Sequence, residues 1–166
     1  YKFNGKGGSG KKNYVHIAPM PDGLRGRWIS SEKNWINKYI LQVKEIVDNI
    51  YKENKKLSCF FVESILGCGG QVVLPSKYLK EVFKIIRKKN ALCIVDEVQT
   101  GFGRVGNHFW GFEEHEIVPD IVTLGKPMGN GHPIAAVVTT KKIAKKFNNG
   151  MEYFNSFGGN PVSCSI

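Results

Sequence analysis

Hydrophobic and polar residues along the chain follow the periods of a mixed α/β domain. Between residues 33 and 52, apolar side chains recur at steps of three and four from Trp35 to Ile50, which predicts an amphipathic helix. Residues 57–62 form a continuous apolar run rich in β-branched and aromatic side chains, which predicts a buried strand. A shorter apolar stretch over residues 14–18 predicts a strand between two loops.

The second half of the chain continues this alternation. A helix is predicted after Ser76, a suitable N-cap residue, and its apolar face runs from Tyr78 to Ile86. Further elements are predicted in chain order: strands at 91–95, 120–124 and 134–139, and a short helix over 143–147. Strands that alternate with helices favour an α/β fold with a mainly parallel sheet flanked by helices.

Composition and charge narrow the class of protein. The chain of 166 residues is 42% hydrophobic and 23% charged, which is typical of a soluble globular protein. No apolar run approaches the roughly 18–20 residues of a membrane helix, so no membrane partner is predicted. The formal net charge of +10 suits nucleic acid, membrane surfaces or anionic small molecules. Most aromatic residues occupy apolar positions and do not alternate with basic ones, so a nucleic-acid-binding module is only a remote alternative.

Two residues stand out at the predicted carboxyl ends of strands. Asp96 follows the strand at 91–95, and Lys126 follows the strand at 120–124. Ligands of open α/β sheets bind in the crevice at this end of the strands. The four cysteines form no CxxC pair, so neither a zinc site nor a redox motif is predicted.

The neighbours of Lys126 are unusual for a surface lysine. Gly125 and Pro127 flank it, and a proline at that position disfavours a helix while the glycine allows a close approach of a ligand. A buried lysine favours its neutral amine, which forms imines with aldehydes. Pyridoxal phosphate combines such a lysine with an aspartate at its pyridine nitrogen. From the spacing alone, an ion pair between Asp96 and Lys126 is the somewhat better alternative.

Two glycine-rich segments resemble nucleotide-binding motifs but lack the required context. Residues 5–11 nearly fit a P-loop, but Lys12 replaces the hydroxyl residue that binds Mg²⁺, and no strand precedes the segment. Residues 101–106 match GxGxxG, yet residues 96–100 separate them from the preceding strand. Neither an ATPase nor a dinucleotide-binding protein is therefore predicted.

Three segments, in order, resemble the motifs of class-III aminotransferases, which are pyridoxal-phosphate enzymes. Residues 94–104 resemble the cofactor motif, residues 120–126 the lysine motif, and residues 157–161 a motif contributed across the dimer interface. Residues 126–133 and 150–155 are similar to one branch of the family. This branch contains the ethanolamine-phosphate and 5-phosphohydroxylysine phospho-lyases, often described as alanine–glyoxylate aminotransferase 2-like.

The resemblance implies roles for five residues toward pyridoxal 5′-phosphate. Lys126 forms the Schiff base and moves the proton, and Asp96 pairs with the pyridine nitrogen. Val98 packs against the face of the ring, and Gln99 hydrogen-bonds its phenolic oxygen. Ser156 stands where the family usually has a threonine that binds the cofactor phosphate of the partner subunit.

Three further residues have structural alternatives. Glu97 and Arg104 match the cofactor motif, and we expect each to form a structural salt bridge or to anchor the loop. His132 either faces the substrate or packs before Pro133.

The resemblance also implies the architecture of the whole enzyme. Residues 1–166 are expected to be one partial large domain of a fold-type-I enzyme, with the phosphate-binding cup upstream and a small domain downstream. The protein is expected to be a homodimer with its active site at the interface. Mitochondrial location is expected, with the cytoplasm as the alternative. The isolated chain is expected to bind the cofactor weakly or not at all.

The implied reaction is that of a phospho-lyase, which releases phosphate and ammonia from a small phosphorylated amine. A transaminase that passes an amino group to a keto acid is the alternative, and both reactions use Lys126 and Asp96 in the same way. Residues 63–67 depart from the usual aminotransferase sequence, which weakens the inference to ordinary transaminase specificity.

Overall fold

The computed structural model describes residues 8–166. Residues 5–7 of the P-loop-like segment lie outside the described residues. The regular elements in chain order are α1 (Trp35–Lys52), β1 (Cys59–Glu63), β2 (Ile65–Leu66), β3 (Val72–Val73), α2 (Tyr78–Arg87), β4 (Leu92–Asp96), β5 (Ile121–Leu124), β6 (Ala136–Thr139), α3 (Lys141–Phe147) and α4 (Pro161–Ser165). Short 3₁₀ helices span Gly111–His115 and Lys126–Gly129.

A four-stranded sheet in the order β1-β4-β5-β6 organises the fold. β1, β4 and β5 are parallel, and β6 runs antiparallel to β5. The register aligns Glu63 with Asp96 and Asp96 with Thr123, so the carboxyl ends of the three parallel strands meet at one edge. The predicted α/β fold with a mainly parallel sheet is confirmed. β2 and β3 form a separate antiparallel pair that the sequence did not predict.

The hydrophobic core lies between one face of this sheet and the helices α1 and α2. Both helices have apolar side chains at steps of three and four, and that stripe is buried, as at Tyr39 and Phe83. Residues alternate along β4, so Cys93 and Val95 are fully buried while their neighbours are only half-buried. β1 was predicted to be buried, but Phe61 is 55% exposed, because it points to the sheet face opposite the one on which Phe60 and Val62 pack into the core.

Two local predictions are wrong. Residues 14–18 form no strand, because no described segment pairs with them, and Val15 instead donates a turn hydrogen bond to Lys12. Ser76 does not cap α2, because the amide of Tyr78 bonds to the carbonyl of Pro75 and Lys77 occupies the capping position. Lys77 adopts a left-handed conformation with φ of 68° and forms no side-chain cap.

The C-terminal elements contribute no fully buried residue. The side chains of α3 and α4 are half-buried or exposed, and the helices begin at the capping side chains of Thr140 and Asn160. Within residues 8–166, no helix is both long enough and apolar enough to cross a membrane.

Candidate cofactor site

The carboxyl edge of the parallel strands brings together the two residues predicted from the sequence. Asp96 ends β4 opposite Thr123 of β5, and the amide of Glu97 donates to the carbonyl of Thr123 at 2.9 Å. Lys126 follows three residues after Thr123, on the turn that leaves β5. Asp96 and Lys126 form no ion pair with each other or with any other residue of the described chain. The salt-bridge alternative is therefore wrong for this part of the molecule.

The carboxylate of Asp96 is half-buried and only partly engaged. Its Oδ1 atom accepts a hydrogen bond from the amide of Val98 at 2.9 Å. Within residues 8–166, Oδ2 accepts no hydrogen bond. This bond orients the carboxylate and leaves one oxygen able to accept a proton or a hydrogen bond from a ligand.

Lys126 sits on a constrained stretch of backbone. Its φ is 40°, in the left-handed region, and the amide of Met128 bonds to the carbonyl of Gly125 at 3.0 Å. A lysine held in this region is uncommon, and strained residues of this kind cluster at functional sites. Contrary to expectation, the side chain of Lys126 is exposed, because the cleft beside it is open to solvent.

An open cleft of about 570 Å³ lies beside this turn, and several of the residues predicted to bind the cofactor line it. Its lining includes the side chains of Val98, Gln99, Arg104, Lys126, Asn130 and His132. Val98 packs against the turn, since its Cγ1 atom lies 3.5 Å from the position that a Cβ would take at Gly125. Asn130 lies within the segment 126–133 that resembles one branch of the family, but the sequence assigned it no role of its own.

These residues fit pyridoxal phosphate in chemical type. Val98 offers an apolar contact for a ring face, and Lys126 offers the amine. The partly engaged carboxylate of Asp96 suits a protonated ring nitrogen. Gln99 is exposed and has an amide that donates and accepts hydrogen bonds, and its Nε2 lies 3.9 Å from Cys68 Sγ. The position of Cys68 beside Gln99 was not foreseen, because 31 residues separate them in the sequence.

Glu97 anchors the loop that carries these residues. Its side chain is 0% exposed and accepts a hydrogen bond from the hydroxyl of Ser64. The hydroxyl of Thr100 and the amides of Gly111 and Phe112 donate to it at 3.0, 2.8 and 2.9 Å. No cation of residues 8–166 pairs with it, so the loop-anchoring prediction is confirmed and the salt-bridge prediction is wrong. Four hydrogen bonds stabilise this buried charge in place of a cation.

Arg104 does not take the structural role predicted for it. It forms neither an ion pair nor a hydrogen bond with the part of the chain that the structure describes, and it lines the cleft. His132 also lines the cleft, and its Nε2 lies 2.8 Å from the hydroxyl of Ser163. That contact ties the loop after Lys126 to α4.

Ser156 lies apart from the other predicted residues. It is exposed on the segment before α4 and does not line the cleft. Its predicted contact is with the cofactor of a partner subunit, and that contact stays a prediction.

Comparison with known proteins matches this chain to a defined family. The model of the family described as aminotransferase class-III matches residues 9–166. An alanine–glyoxylate aminotransferase 2-like protein of Drosophila melanogaster is 45% identical over 100% of this chain and 34% of its own length. The human mitochondrial alanine–glyoxylate aminotransferase 2 is 48% identical over 78% of this chain and 25% of its own length.

A solved structure shares both fold and sequence. A phospholyase from Arthrobacter, in complex with phosphoethanolamine, superimposes with a TM-score of 0.73 and is 39% identical. The match covers 78% of this chain and 31% of the Arthrobacter chain. The present chain thus spans about a third of the length of the fly protein and of the Arthrobacter chain.

Proposed function

The chain belongs to the class-III aminotransferase family, and from that premise we propose that it forms part of the active site of a phospho-lyase. The proposed substrate is a small primary amine that carries a phosphate ester on the carbon next to the amine-bearing carbon. The family depends on pyridoxal phosphate, which supplies an electron sink when bound.

The proposal rests on one observation: Asp96 and Lys126 lie at the same edge of the sheet, where the parallel strands end. Asp96 is the last residue of β4, Lys126 comes shortly after the end of the adjacent parallel strand β5, and Lys126 shares a cleft with Val98 and Gln99. Asp96 would hold a ring nitrogen protonated, and Val98 would contact the ring. The amine of Lys126 would hold the cofactor and later accept the proton from the amine-bearing carbon.

The proposed reaction needs water as its only other substrate, and its atoms then balance. Lys126 takes the proton from the carbon that bears the nitrogen, and the adjacent C–O bond breaks with release of inorganic phosphate. The enamine that leaves the enzyme then hydrolyses to ammonia and an aldehyde. Two observations support this reaction over others of the family: the solved phospholyase, with phosphoethanolamine bound, and the cationic lining of the cleft.

A transaminase is the second candidate, favoured by the names of the fly and human relatives. It uses the same lysine and aspartate but returns the proton and passes the nitrogen to a keto acid. A homodimer and a mitochondrial location are also proposed. The name of the human relative, a mitochondrial enzyme, supports the location.

The test uses the complete cofactor-loaded protein with phosphoethanolamine or phosphohydroxylysine and no keto acid. We expect release of inorganic phosphate that disappears in Lys126→Ala. The control variant is Lys142→Ala, an exposed lysine of α3 that does not line the cleft. Amino transfer that appears only after a keto acid is added, with no phosphate release, would establish the transaminase instead.

A further inference from the structure

Arg104 is the one arginine of the chain without a partner among residues 8–166. The other three are engaged by neighbouring side chains: Arg25 by Asp22, Arg27 by Gln42 and Arg87 by Asp120. Arg104 instead lines the cleft together with Lys126. Among the four arginines, the guanidinium of Arg104 is therefore the one that residues 8–166 leave available for a ligand.

The turn that carries Arg104 is fixed at its base. The amide of Gly106 bonds to the carbonyl of Gly103 at 3.2 Å, which closes a β-turn with Arg104 at its second position. The amide of Gly103 bonds to the carbonyl of Phe109 at 2.9 Å. Below them, the buried carboxylate of Glu97 holds both ends of the loop through Thr100 and Gly111.

Aromatic side chains stabilise the same loop. The rings of Phe102, Phe109 and Trp110 contact one another edge to face, with centroids 4.7 to 5.6 Å apart. Phe112 stacks on Trp110 with centroids 6.4 Å apart. A turn held by hydrogen bonds and aromatic contacts loses little entropy when its arginine binds a ligand.

The charge of the cleft favours an anion. Its lining includes Arg104, Lys126 and His132 but no carboxylate among the described residues. In the proposed reaction Lys126 is occupied by the cofactor and by proton transfer. Arg104 is then the remaining permanent cation of the described lining. A guanidinium suits a phosphate because its parallel N–H groups bind two oxygens at once.

We propose that Arg104 binds the phosphate group of the substrate and so selects phosphorylated amines. This inference rests on the proposed function and names the residue that would recognise the leaving group. The same guanidinium chemistry also suits the phosphate of the cofactor. The experiment must therefore distinguish the two sources of phosphate.

The first measurement is direct binding of inorganic phosphate to the cofactor-loaded protein by calorimetry. We expect Arg104→Gln to weaken binding about 10- to 100-fold, the usual effect of losing a charge-assisted pair of hydrogen bonds. The matched control, Arg27→Gln, removes a guanidinium that does not line the cleft and is expected to leave the affinity unchanged. Equal affinity in the Arg104 variant, or no binding by the unsubstituted protein, would overturn the inference.

The second measurement separates substrate phosphate from cofactor phosphate. For phosphoethanolamine we expect Arg104→Gln to raise KM about 10-fold or more. The dissociation constants of pyridoxal 5′-phosphate and of pyridoxal, measured on the cofactor-free protein, should not change. A parallel loss of affinity for pyridoxal 5′-phosphate, with pyridoxal unaffected, would assign Arg104 to the cofactor and overturn the substrate role.

The inference and the proposed reaction fail in different ways. If the unsubstituted protein releases no phosphate from phosphoethanolamine but binds inorganic phosphate through Arg104, the reaction is wrong and Arg104 keeps its anion-binding role. If phosphate release depends on Lys126 but not on Arg104, the reaction stands and the role of Arg104 is wrong.

Discussion

The region from Trp35 to Leu124 and the region from Ala136 to Ile166 are stabilised in different ways. The first contains nearly all of the buried hydrophobic residues, packed between α1, α2 and the parallel strands. In the second, no residue of β6, α3 or α4 is fully buried. Most of its large apolar side chains are exposed: Val137, Val138, Phe147, Met151, Tyr153, Phe154, Phe157, Val162 and Ile166.

The residues predicted to bind the cofactor are distributed over both regions. Asp96, Val98, Gln99 and Lys126 lie on or beside the strand ends of the well-packed region. Ser156 lies in the exposed region, which is the part predicted to contribute across a dimer interface. The first region holds its geometry through its own contacts, whereas the second exposes apolar side chains of the kind that mark interaction surfaces.

The largest expected effect comes from truncating the core of the first region. Phe83 is 2% exposed, so Phe83→Ala is expected to lower the free energy of unfolding by about 3–5 kcal/mol. The matched control, Phe157→Ala, removes the same ring from a position that is 84% exposed. In urea denaturation of residues 1–166 alone, where no partner subunit covers this ring, it should change the free energy of unfolding by less than about 0.5 kcal/mol. Equal losses would contradict the division into two regions.

The second-largest effect is expected for Glu97, which anchors the loop that carries Val98 and Gln99. In Glu97→Gln one carboxylate oxygen becomes an NH₂ group that faces hydrogen-bond donors, so we expect a loss of about 2–3 kcal/mol. Glu113→Gln serves as control in the same loop, because Glu113 is exposed and, among residues 8–166, its carboxylate accepts a hydrogen bond only from the amide of Trp110. Urea denaturation of both variants measures the difference, and a similar stability would show that the buried charge is unimportant.

A third prediction concerns pH and the buried thiol of β4. Burial raises the pKa of Cys93 from 9.0 to about 12. Above pH 9 the unfolded chain therefore loses a proton that the folded chain keeps, so stability falls as the pH rises. Between pH 8 and pH 10 this thiol should cost about 1.4 kcal/mol.

Urea denaturation at pH 8 and pH 10 checks this contribution. In Cys93→Ala, the fall in the free energy of unfolding between pH 8 and pH 10 should be smaller by that amount. This holds even if the substitution also changes the stability at pH 8. The control Cys164→Ala removes an exposed thiol and should leave the pH dependence unchanged. An identical pH dependence in Cys93→Ala would refute the prediction.

The smallest expected effect lies in the exposed region. Asn160 caps α4, and its Oδ1 accepts the amide of Ser163 at 2.9 Å. Asn160→Ala should destabilise this helix locally by about 1 kcal/mol, so hydrogen exchange of the Ser163 amide should be about 5-fold faster. Exchange of the Cys93 amide provides the internal reference and should not change. A large fall in global stability would show that α4 belongs to the cooperative core.

Elements with strong periodicity were predictable from the sequence. The helix predicted over 33–52 begins at Trp35, and the strand predicted over 91–95 spans Leu92–Asp96. Local propensity and the spacing of apolar residues determine where such helices and strands form. The β2–β3 pair was missed because two-residue strands have no readable period and form only by pairing with each other. Ser76 had the chemistry of a cap, but the preceding turn placed Lys77 at the start of the helix.

The amino-acid sequence alone identifies the reactive groups of the candidate site: an aspartate and a lysine at the ends of successive strands, in segments that resemble one enzyme family. Which side chains have partners depends on the tertiary structure. Glu97 gains its donors from Ser64 and from Gly111 and Phe112, which are 14 to 33 residues away, whereas Arg104 gains none within residues 8–166. Burial and hydrogen bonding depend on residues distant in the sequence, and these decide whether a charge anchors the fold or faces a ligand.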